Sequence, residues 1–372
     1  MPKRLRKTFL KTSKVSSVGK KKPDYLFLGL ALFLTLFGLL MVFDASVVEA
    51  YQLYGDKFYF VKSQAIWAGL GLMALMGAVL VPSHWWQRLA LPLFIVTGVL
   101  LVVVLLPGVG IEVQGARRWL NVVSVRLQPS ELAKLTLTLY LASWLARHQR
   151  LLPFLTITGL IFGLVLLEPD MGTGVILALI ALSMYWLAGG AKKYLLVILV
   201  VGLLLAGGFI VISPYRFNRL KTYLDPSSDP LGASYHIRQV LIALGSGGLT
   251  GQGIGRSRQK FQYLPEATTD SIFAVIAEET GFVGSITIMG AYFIFIQRGL
   301  MIASRLQAGF SRLLVGGITV WLAVQSFVNL AAMVALLPLT GIPLPFISYG
   351  GSALITSLSA VGIVFRASRD QK

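Results

Sequence analysis

The side chains most able to carry chemistry in this sequence are acids placed at the start of, or inside, long apolar segments. Asp270 opens one such segment, TTDSIFAVIAEETG, and Glu278 and Glu279 follow within it. In a helix the glutamates lie about 12 Å deeper than Asp270, at roughly 1.5 Å per residue. Adjacent helix positions point about 100° apart, so we expect the pair not to share one partner simply. At least one glutamate is expected to face a polar cavity, and a structural polar role is the alternative. A Thr/Asp cluster before an apolar run also leaves open a role for Asp270 as a helix N-cap.

A second pair of ionisable residues, Glu131 and Lys134, occurs in the segment QPSELAK. Residues three apart share one face of a helix, so these two side chains can form an ion pair near its start. Such a pair can be purely structural, or it can belong to a binding site. Both interpretations stay open from the residues alone.

Glu168 and Asp170 belong to the segment EPDMG, which has the composition of a tight turn between two apolar segments. Two carboxylates there could bind a cation. Asp and Gly, however, belong in turns whether or not a ligand is present. We therefore favour a turn over a cation site.

The elements that must position these residues are transmembrane helices. The chain has 372 residues, of which 56% are hydrophobic and 13% charged, and its mean hydropathy is +0.76. A water-soluble domain of this size could not bury so much apolar surface. We predict an all-α, polytopic membrane protein with about ten spans of roughly 20 residues each. The predicted spans are 25–45, 61–81, 89–106, 130–147, 152–168, 171–189, 194–213, 271–297, 311–337 and 347–366.

The distribution of charge orients these spans. Residues 1–24 form a basic tail ahead of a single ten-helix domain at 25–372. With ten spans, most Lys and Arg residues fall on the side of the tail, whereas Asp24 and Asp370 are the only acids there. Basic loops stay in the cytosol, so both termini are predicted to be cytosolic. The same anchoring role explains the tail better than nucleic-acid binding does.

The longest connection, residues 214–270, lies outside in this topology, between the seventh and eighth spans, and long loops in compact folds are usually functional. In it, Ile237, Val240, Leu241 and Leu244 form an apolar stripe that stops at the next glycine. The stripe predicts an amphipathic helix lying on the membrane surface. The GLTGQGIGRSRQK segment that follows is glycine-rich and basic, as in a loop that approaches a ligand closely or in a plain flexible turn.

The outer side also carries cations that the positive-inside rule does not require. They are Arg117, Arg118, Arg126, Arg216, Arg219, Lys221, Arg238, Arg256, Arg258 and Lys260. Long loops are exempt from the rule, so part of this excess is permitted. Cations above a membrane nevertheless suit an anionic ligand such as a lipid pyrophosphate.

Residues 338–352, PLTGIPLPFISYGGS, are too proline-rich for a helix and too apolar for a solvated loop. Non-helical backbone at membrane depth is tolerated only where protein or water covers its polar groups. We expect this segment to re-enter the membrane and to line the outward cavity.

The composition excludes some chemistry. The chain has no cysteine, so disulfides, thiolate metal sites and cysteine nucleophiles are excluded. Its three histidines are scattered, which disfavours a histidine metal site. We find no internal repeat of the kind common in transporters.

Five motifs, taken together, carry a family resemblance. They are GARRWL at 115–120, QPSELAK at 128–134, EPDMGTG at 168–174, YLPEATTDSIFAVIAEETGFVG at 263–284 and LTGIPLPFISYGGSAL at 339–354. In this order, over all the predicted spans, they resemble the SEDS family, which comprises the FtsW, RodA and SpoVE proteins. The glycine-rich segment resembles the division and sporulation branch and GIPLPFISYGG the elongation branch, so the chain leans slightly towards FtsW.

The resemblance implies a peptidoglycan glycosyltransferase that polymerises lipid II on the outer face of the bacterial cytoplasmic membrane. It also implies a class B penicillin-binding protein and other divisome or elongasome membrane proteins as partners. The family's essential acid falls on Asp270, its RRW arginine on Arg118, and its Glu and Lys of the fourth helix on Glu131 and Lys134. Ser271 departs from the aromatic residue expected after the acid.

Joining two sugars requires an acceptor hydroxyl to lose a proton while a lipid pyrophosphate leaves the donor sugar. We predict that Asp270 accepts the proton and that Arg118 and Lys134 offset the charge of the leaving group. A divalent cation, Mg²⁺ or Mn²⁺, could assist, although no ligand spacing is diagnostic. The alternatives are a lipid II flippase and a scaffold that recruits a transpeptidase. Polar residues concentrated on the outer side favour the enzyme.

Overall fold

The computed structural model describes residues 22–113, 116–122, 125–212, 223, 234–261 and 263–370. In these ranges the helices are α1 (Tyr25–Tyr54), α2 (Tyr59–Leu80), α3 (Ser83–Leu105), α4 (Pro129–Leu145), α5 (Leu151–Leu167), α6 (Met171–Leu187), α7 (Lys192–Ile212), α8 (Tyr235–Gly247), α9 (Ile272–Arg305), α10 (Phe310–Met333) and α11 (Gly351–Ala367). The strands are β1 (Gly110–Val113), β2 (Ala116–Val122) and β3 (Val125–Leu127).

The helical architecture confirms the predicted fold class. Every helix except α8 coincides with a predicted span. Within the described ranges, six helices are long and apolar enough to cross a membrane, namely α1, α2, α3, α9, α10 and α11 with the turn that follows it. The helices α5 and α6 are apolar but have 17 residues each. The number of ten spans therefore stays a prediction.

Two helices continue well past their predicted C-terminal ends. The first continues to Tyr54, although polar residues such as Asp44 and Glu49 interrupt its apolar run. It ends where Gly55 adopts a left-handed conformation and donates its backbone N–H to the Tyr51 carbonyl oxygen at 3.0 Å. The helix α9 similarly continues to Arg305. Apolar run length underestimates helices that extend beyond the hydrocarbon layer.

A three-stranded antiparallel sheet between α3 and α4 was not predicted. Its strand order is β1-β2-β3, with Ile111 opposite Trp119 and Leu120 opposite Leu127. The β-branched residues Ile111, Val113 and Val125 were the available signal for it. The sheet matters for function because β2 carries Arg117 and Arg118.

The centre of the molecule is formed by α4, α10 and α11. Trp321, Leu137 and Leu358 are fully buried there. The outer helices α1, α2 and α3 instead expose large apolar side chains, including Leu40 and Leu80, as expected of surfaces that contact lipid. The buried polar residues discussed below therefore lie inside the bundle.

One end of the bundle gathers segments that the ten-span topology assigns to the cytosol. Arg298 in α9 forms an ion pair with Asp24, which precedes α1, at 2.7 Å. The Asp24 backbone N–H donates to Ser368 Oγ at 3.1 Å, and Ser83 Oγ donates to Asp370 Oδ2 at 3.1 Å. The starts of α1 and α3 and the ends of α9 and α11 thus meet on one side, in agreement with the predicted alternation.

The glycine-rich loop that follows α8 is inserted into a break in α9. Gly281 has φ +67° and ψ −163° inside the helix, which interrupts the helical hydrogen bonds there. The backbone N–H groups of Gln252 and Gly253 donate to the Glu278 and Glu279 carbonyl oxygens at 3.0 Å each. The loop thereby satisfies carbonyl groups that a continuous helix would have satisfied itself.

Gly251 permits this close approach. It has φ +81°, and a Cβ atom there would lie 2.0 Å from the Glu279 carbonyl oxygen. We expect Gly251→Ala to destabilise the protein by roughly 1–3 kcal/mol, because Ala combines backbone strain with a steric clash. The measurement is the thermal unfolding temperature in detergent.

The matched control is Gly245→Ala in α8, where a Cβ would meet nothing within 4 Å. This control should be neutral or slightly stabilising, because Ala favours a helix. Equal unfolding temperatures for the two variants would contradict the proposed docking of the loop.

Candidate functional site

Asp270 lies at the start of α9 and is 7% exposed. The N-cap residue of α9 is Ser271, so the alternative N-cap role for Asp270 was wrong. Thr269 Oγ1 lies 3.4 Å from the Asp270 carboxylate oxygen Oδ1 and donates to Glu266 Oε2 at 2.8 Å. The Asp270 carboxylate is therefore nearly buried, close to the start of a helix and beside a hydroxyl group.

The segment after α10 holds the backbone around Asp270. Ser348 Oγ donates a hydrogen bond to the Thr269 carbonyl oxygen. The Tyr349 backbone N–H donates to the Thr268 carbonyl oxygen at 2.9 Å. The segments 263–284 and 339–354, which carry two of the five motifs, are therefore bonded to each other.

Protein side chains cover the polar backbone of residues 338–350. Gln325 Nε2 donates to the Pro343 carbonyl oxygen at 3.0 Å, and the Tyr292 hydroxyl donates to the Pro345 carbonyl oxygen. Gln64 Nε2 donates to the Ser348 carbonyl oxygen at 3.2 Å. This is the condition under which a non-helical segment can lie at membrane depth. That the segment lines an outward cavity stays a prediction.

The predicted Glu131–Lys134 ion pair is present and fully buried. Lys134 Nζ lies 2.7 Å from Glu131 Oε1, and the side chains are 1% and 3% exposed. Lys134 also donates to Gln325 Oε1 at 2.8 Å, and Trp321 Nε1 donates to the same oxygen at 2.9 Å. Gln325 thus links the ion pair to residues 338–350 through its contact with Pro343.

Arg118 reaches from β2 to the turn between α5 and α6. Its Nε and Nη2 atoms donate to the carbonyl oxygens of Glu168 and Pro169 at 3.0 and 2.5 Å. Asp170 caps α6 by accepting from the Thr173 backbone N–H at 3.0 Å. The carboxylate of Asp170 therefore does what a turn residue does, which agrees with the favoured interpretation of this segment.

Glu168 is a fully buried carboxyl group in that turn. Neither of its carboxyl oxygens has a hydrogen-bond partner among the described residues. Burial and the neighbouring Asp170 carboxylate raise the pKa of Glu168 to about 8, against the opposing effect of Arg118. At neutral pH the group is therefore protonated in the folded protein.

This raised pKa predicts a pH-dependent stability. In the unfolded chain the Glu168 pKa returns to 4.5, so between pH 4.5 and about 8 the folded state binds the extra proton. The stability contributed by Glu168 is complete below pH 4.5 and is lost as the pH rises through the folded value of about 8. We expect the unfolding temperature to fall over this interval and Glu168→Gln to flatten the fall. An unchanged slope in the variant would show that another group causes it.

Glu278 anchors the basic loop rather than facing a cavity. Its carboxylate accepts hydrogen bonds from Ser257 Oγ and from the backbone N–H groups of Arg258 and Gln259, the last two at 3.1 and 3.3 Å. Ser257 also donates its backbone N–H to Glu279 Oε1 at 3.0 Å. The expectation that adjacent glutamates cannot share a partner was wrong, because one serine offers two donors in different directions.

Glu279 belongs to a buried ion-pair network that the sequence did not reveal. Lys260 Nζ lies 3.1 Å from Glu279 Oε1 and 2.8 Å from Asp44 Oδ1. Asp44 is an acid within the first apolar segment, and its position there was the available sequence signal for a buried ion pair. The network fixes the glycine-rich loop to α1 and α9, so this loop is a docked element.

Comparisons with known proteins identify the family of this chain. Residues 24–372 match the model for FtsW, RodA and SpoVE, described as "Cell cycle protein". This chain belongs to that family. The chain is 41% identical over 357 residues to the probable peptidoglycan glycosyltransferase FtsW of Trichlorobacter lovleyi, with 94% of each chain covered.

Two further comparisons agree. This chain is 37% identical over 358 residues to stage V sporulation protein E of Bacillus subtilis, and the match covers 94% of this chain and 98% of that protein. It also superimposes on a chain of a solved peptidoglycan synthase complex that coordinates polymerization and crosslinking. There the TM-score is 0.77 at 30% identity, with 94% of this chain and 98% of that chain covered. The predicted resemblance is confirmed.

In this member of the FtsW/RodA/SpoVE family, Ser271 stands where an aromatic residue was expected, and it makes a polar contact. Ser271 Oγ lies 2.7 Å from His236 Nε2, and both side chains are at least partly buried. The contact joins α8 to the start of α9. In α8 the buried face consists of Ile237, Val240 and Ala243, whereas Leu241 is exposed. Of the predicted stripe, Ile237 and Val240 are buried and Leu244 is half-buried, because α8 packs on α9.

The other cations predicted on the outer side differ in their contacts. Arg117 pairs with Glu112 across β1 and β2 at 3.4 Å, and Arg216 lies outside the described residues. Four exposed outward cations form no ion pair with any described residue: Arg126, Arg238, Arg256 and Arg258. In the part of the chain that the structure describes, no three His, Cys, Asp or Glu residues are grouped to hold a metal ion.

Proposed function

We propose that this chain is a peptidoglycan glycosyltransferase that polymerises lipid II into β-1,4-linked glycan strands. The observation that carries the proposal is Asp270, held nearly buried at the mouth of α9 in a chain 41% identical to a probable peptidoglycan glycosyltransferase. The reaction would release undecaprenyl pyrophosphate with inversion at the donor sugar.

In the proposed reaction Asp270 acts as the general base. Its carboxylate accepts the proton of the acceptor hydroxyl while that oxygen bonds to the anomeric carbon of the donor sugar. The bond between this carbon and the pyrophosphate oxygen breaks, and the electron pair leaves with the pyrophosphate. A positioned general base typically contributes about 10²–10⁴-fold to a rate.

Cations at the site would stabilise the departing diphosphate. Arg118 suits this role because its planar guanidinium group matches phosphate oxygens and is partly exposed. Lys134 is the second proposed cation, although its ammonium group is buried against Glu131 and Gln325. Arg117, Arg216 and Glu131 complete the proposed substrate-binding set. A divalent cation remains part of the proposal, and chelation by EDTA during the assay tests it.

The proposed cellular setting is the bacterial cytoplasmic membrane, with the active site on the outer face and both termini in the cytosol. A class B penicillin-binding protein is the proposed partner, supported by the match to a peptidoglycan synthase complex that couples polymerization and crosslinking. Other divisome or elongasome membrane proteins are proposed as further partners, and membrane lipid as the surroundings.

The test is polymerisation by the purified protein in detergent. Lipid II is incubated with the chain, alone and with its cognate class B penicillin-binding protein, and glycan products are separated by size. Polymer supports the proposal. A flippase, by contrast, has no sidedness to act on in detergent and would leave lipid II unchanged, as would a scaffold.

A further inference from the structure

Asn329 in α10 connects the three segments that meet at Asp270. Its Nδ2 atom donates one hydrogen bond to the Asp270 carbonyl oxygen and another to the Ile342 carbonyl oxygen, each at 2.8 Å. The side chain is 1% exposed. Because Asp270 precedes α9 and Ile342 belongs to residues 338–350, one amide group joins α10 to both segments.

An asparagine amide is suited to this position. Two carbonyl oxygens require two donors, and the NH₂ group supplies both from a single nitrogen. The opposite orientation would aim Oδ1 at two other oxygens. In the observed one, Oδ1 is buried and lacks a hydrogen-bond partner among the described residues. A buried unsatisfied acceptor lowers stability, so the amide is held here by its two donated bonds.

We propose that Asn329 is a positioning residue for Asp270. It fixes the Asp270 backbone against residues 338–350, so that the carboxylate keeps one position relative to the rest of the site. The proposal rests on the proposed glycosyl transfer with Asp270 as its base. Asn329 itself need not touch the substrate.

Comparison with the neighbouring hydrogen bonds shows why the Asn329 contact has the most direct effect on the position of the Asp270 carboxylate. Ser348 and Tyr349 hold the carbonyl groups of Thr269 and Thr268, whereas Asn329 alone among these residues holds the carbonyl of Asp270 itself. Loss of the amide frees that carbonyl and the one at Ile342 together. A displacement of about 1 Å in a reacting group can lower a rate about 10²-fold.

The experiment compares Asn329→Leu and Asn329→Asp with the wild-type protein. Leu removes both donors, and Asp retains the shape of the side chain but offers at most one hydrogen. The matched control is Ser326→Ala, one turn earlier in α10, because Ser326 is 2% exposed and its hydroxyl donates to the Leu322 carbonyl oxygen of its own helix. Lipid II binding, kcat and KM for lipid II, and the unfolding temperature are measured for each.

We expect both Asn329 variants to lose about 10²-fold in kcat per lipid II-binding molecule, with KM unchanged, whereas Ser326→Ala retains wild-type kcat. Normalising to binding-competent protein separates positioning from simple loss of folded material. If Asn329→Leu does not fold, the isosteric Asp variant decides.

A wild-type kcat in the folded Asn329 variants would overturn the positioning role, and so would an equal loss in Ser326→Ala. Failure of the proposed function has a different signature. In that case wild-type protein makes no polymer, or Asp270→Asn remains fully active, whatever the Asn329 variants do.

Discussion

Asp270→Asn is expected to reduce lipid II polymerisation by about 10²–10⁴-fold, which is the contribution of a positioned general base. The substitution keeps the shape of the side chain, and Thr269 Oγ1 can still approach the oxygen that remains. An amide, however, cannot take up a proton from an acceptor hydroxyl at neutral pH. The measurement is kcat for glycan formation by the purified variant.

The control for this prediction is Glu266→Gln. Glu266 is an exposed carboxylate four residues before Asp270, and Thr269 Oγ1 lies 2.8 Å from Glu266 Oε2 and 3.4 Å from Asp270 Oδ1. If negative charge near the mouth of α9 were the requirement, both variants would lose activity. We expect only Asp270→Asn to do so, with an unchanged unfolding temperature and unchanged lipid II binding. Full activity of Asp270→Asn would remove the assignment of Asp270 as the base.

Apolar run length predicted the helices well, because lipid requires long apolar segments and leaves few alternatives. The ends were less predictable. Polar residues such as Asp44 continue α1 because Lys260, distant in sequence, pairs with that acid. The sheet that carries Arg118 escaped prediction because its strands are three to seven residues long, too short for a clear alternation.

Charged residues of the site were visible in the sequence because charge is rare at membrane depth. The neutral residues that hold them were not. Asn329 lies 59 positions from Asp270, and Gln64 lies 284 positions from Ser348. Amides and hydroxyls are tolerated in many helices, so nothing local distinguishes one that reaches a distant carbonyl group. Their roles emerge only when the fold brings the segments together.

Glu278 and Glu279 show the opposite case, in which a strong sequence signal did not identify the partners of the two acids. Two adjacent acids in an apolar segment indicated a polar cavity. The structure instead fills that space with Ser257 and Lys260 from the glycine-rich loop. A buried carboxylate needs donors, and a loop of the same chain supplies them as well as water or a ligand does.

The buried pair Glu131–Lys134 provides the second prediction with a large effect. Lys134→Met should destabilise the protein by about 3–5 kcal/mol, because it leaves the Glu131 carboxylate buried without its counter-ion. The comparison is Lys62→Met, which removes an ion pair with Asp56 of the same 2.7 Å length whose side chains are 66% and 40% exposed. Exposed pairs contribute about 0–1 kcal/mol, so this variant should be nearly neutral.

The double variant Glu131→Gln/Lys134→Met separates stability from catalysis at this pair. Removing both charges takes away the uncompensated carboxylate, so the unfolding temperature should return close to the wild-type value. Polymerisation should stay low, because the leaving diphosphate then lacks the cation proposed to stabilise it. Gln325, which bonds to Lys134 and to Pro343, would remain to hold residues 338–350 in place. Wild-type activity in a stable double variant would instead make the ion pair purely structural and leave Arg118 as the cation that meets the diphosphate.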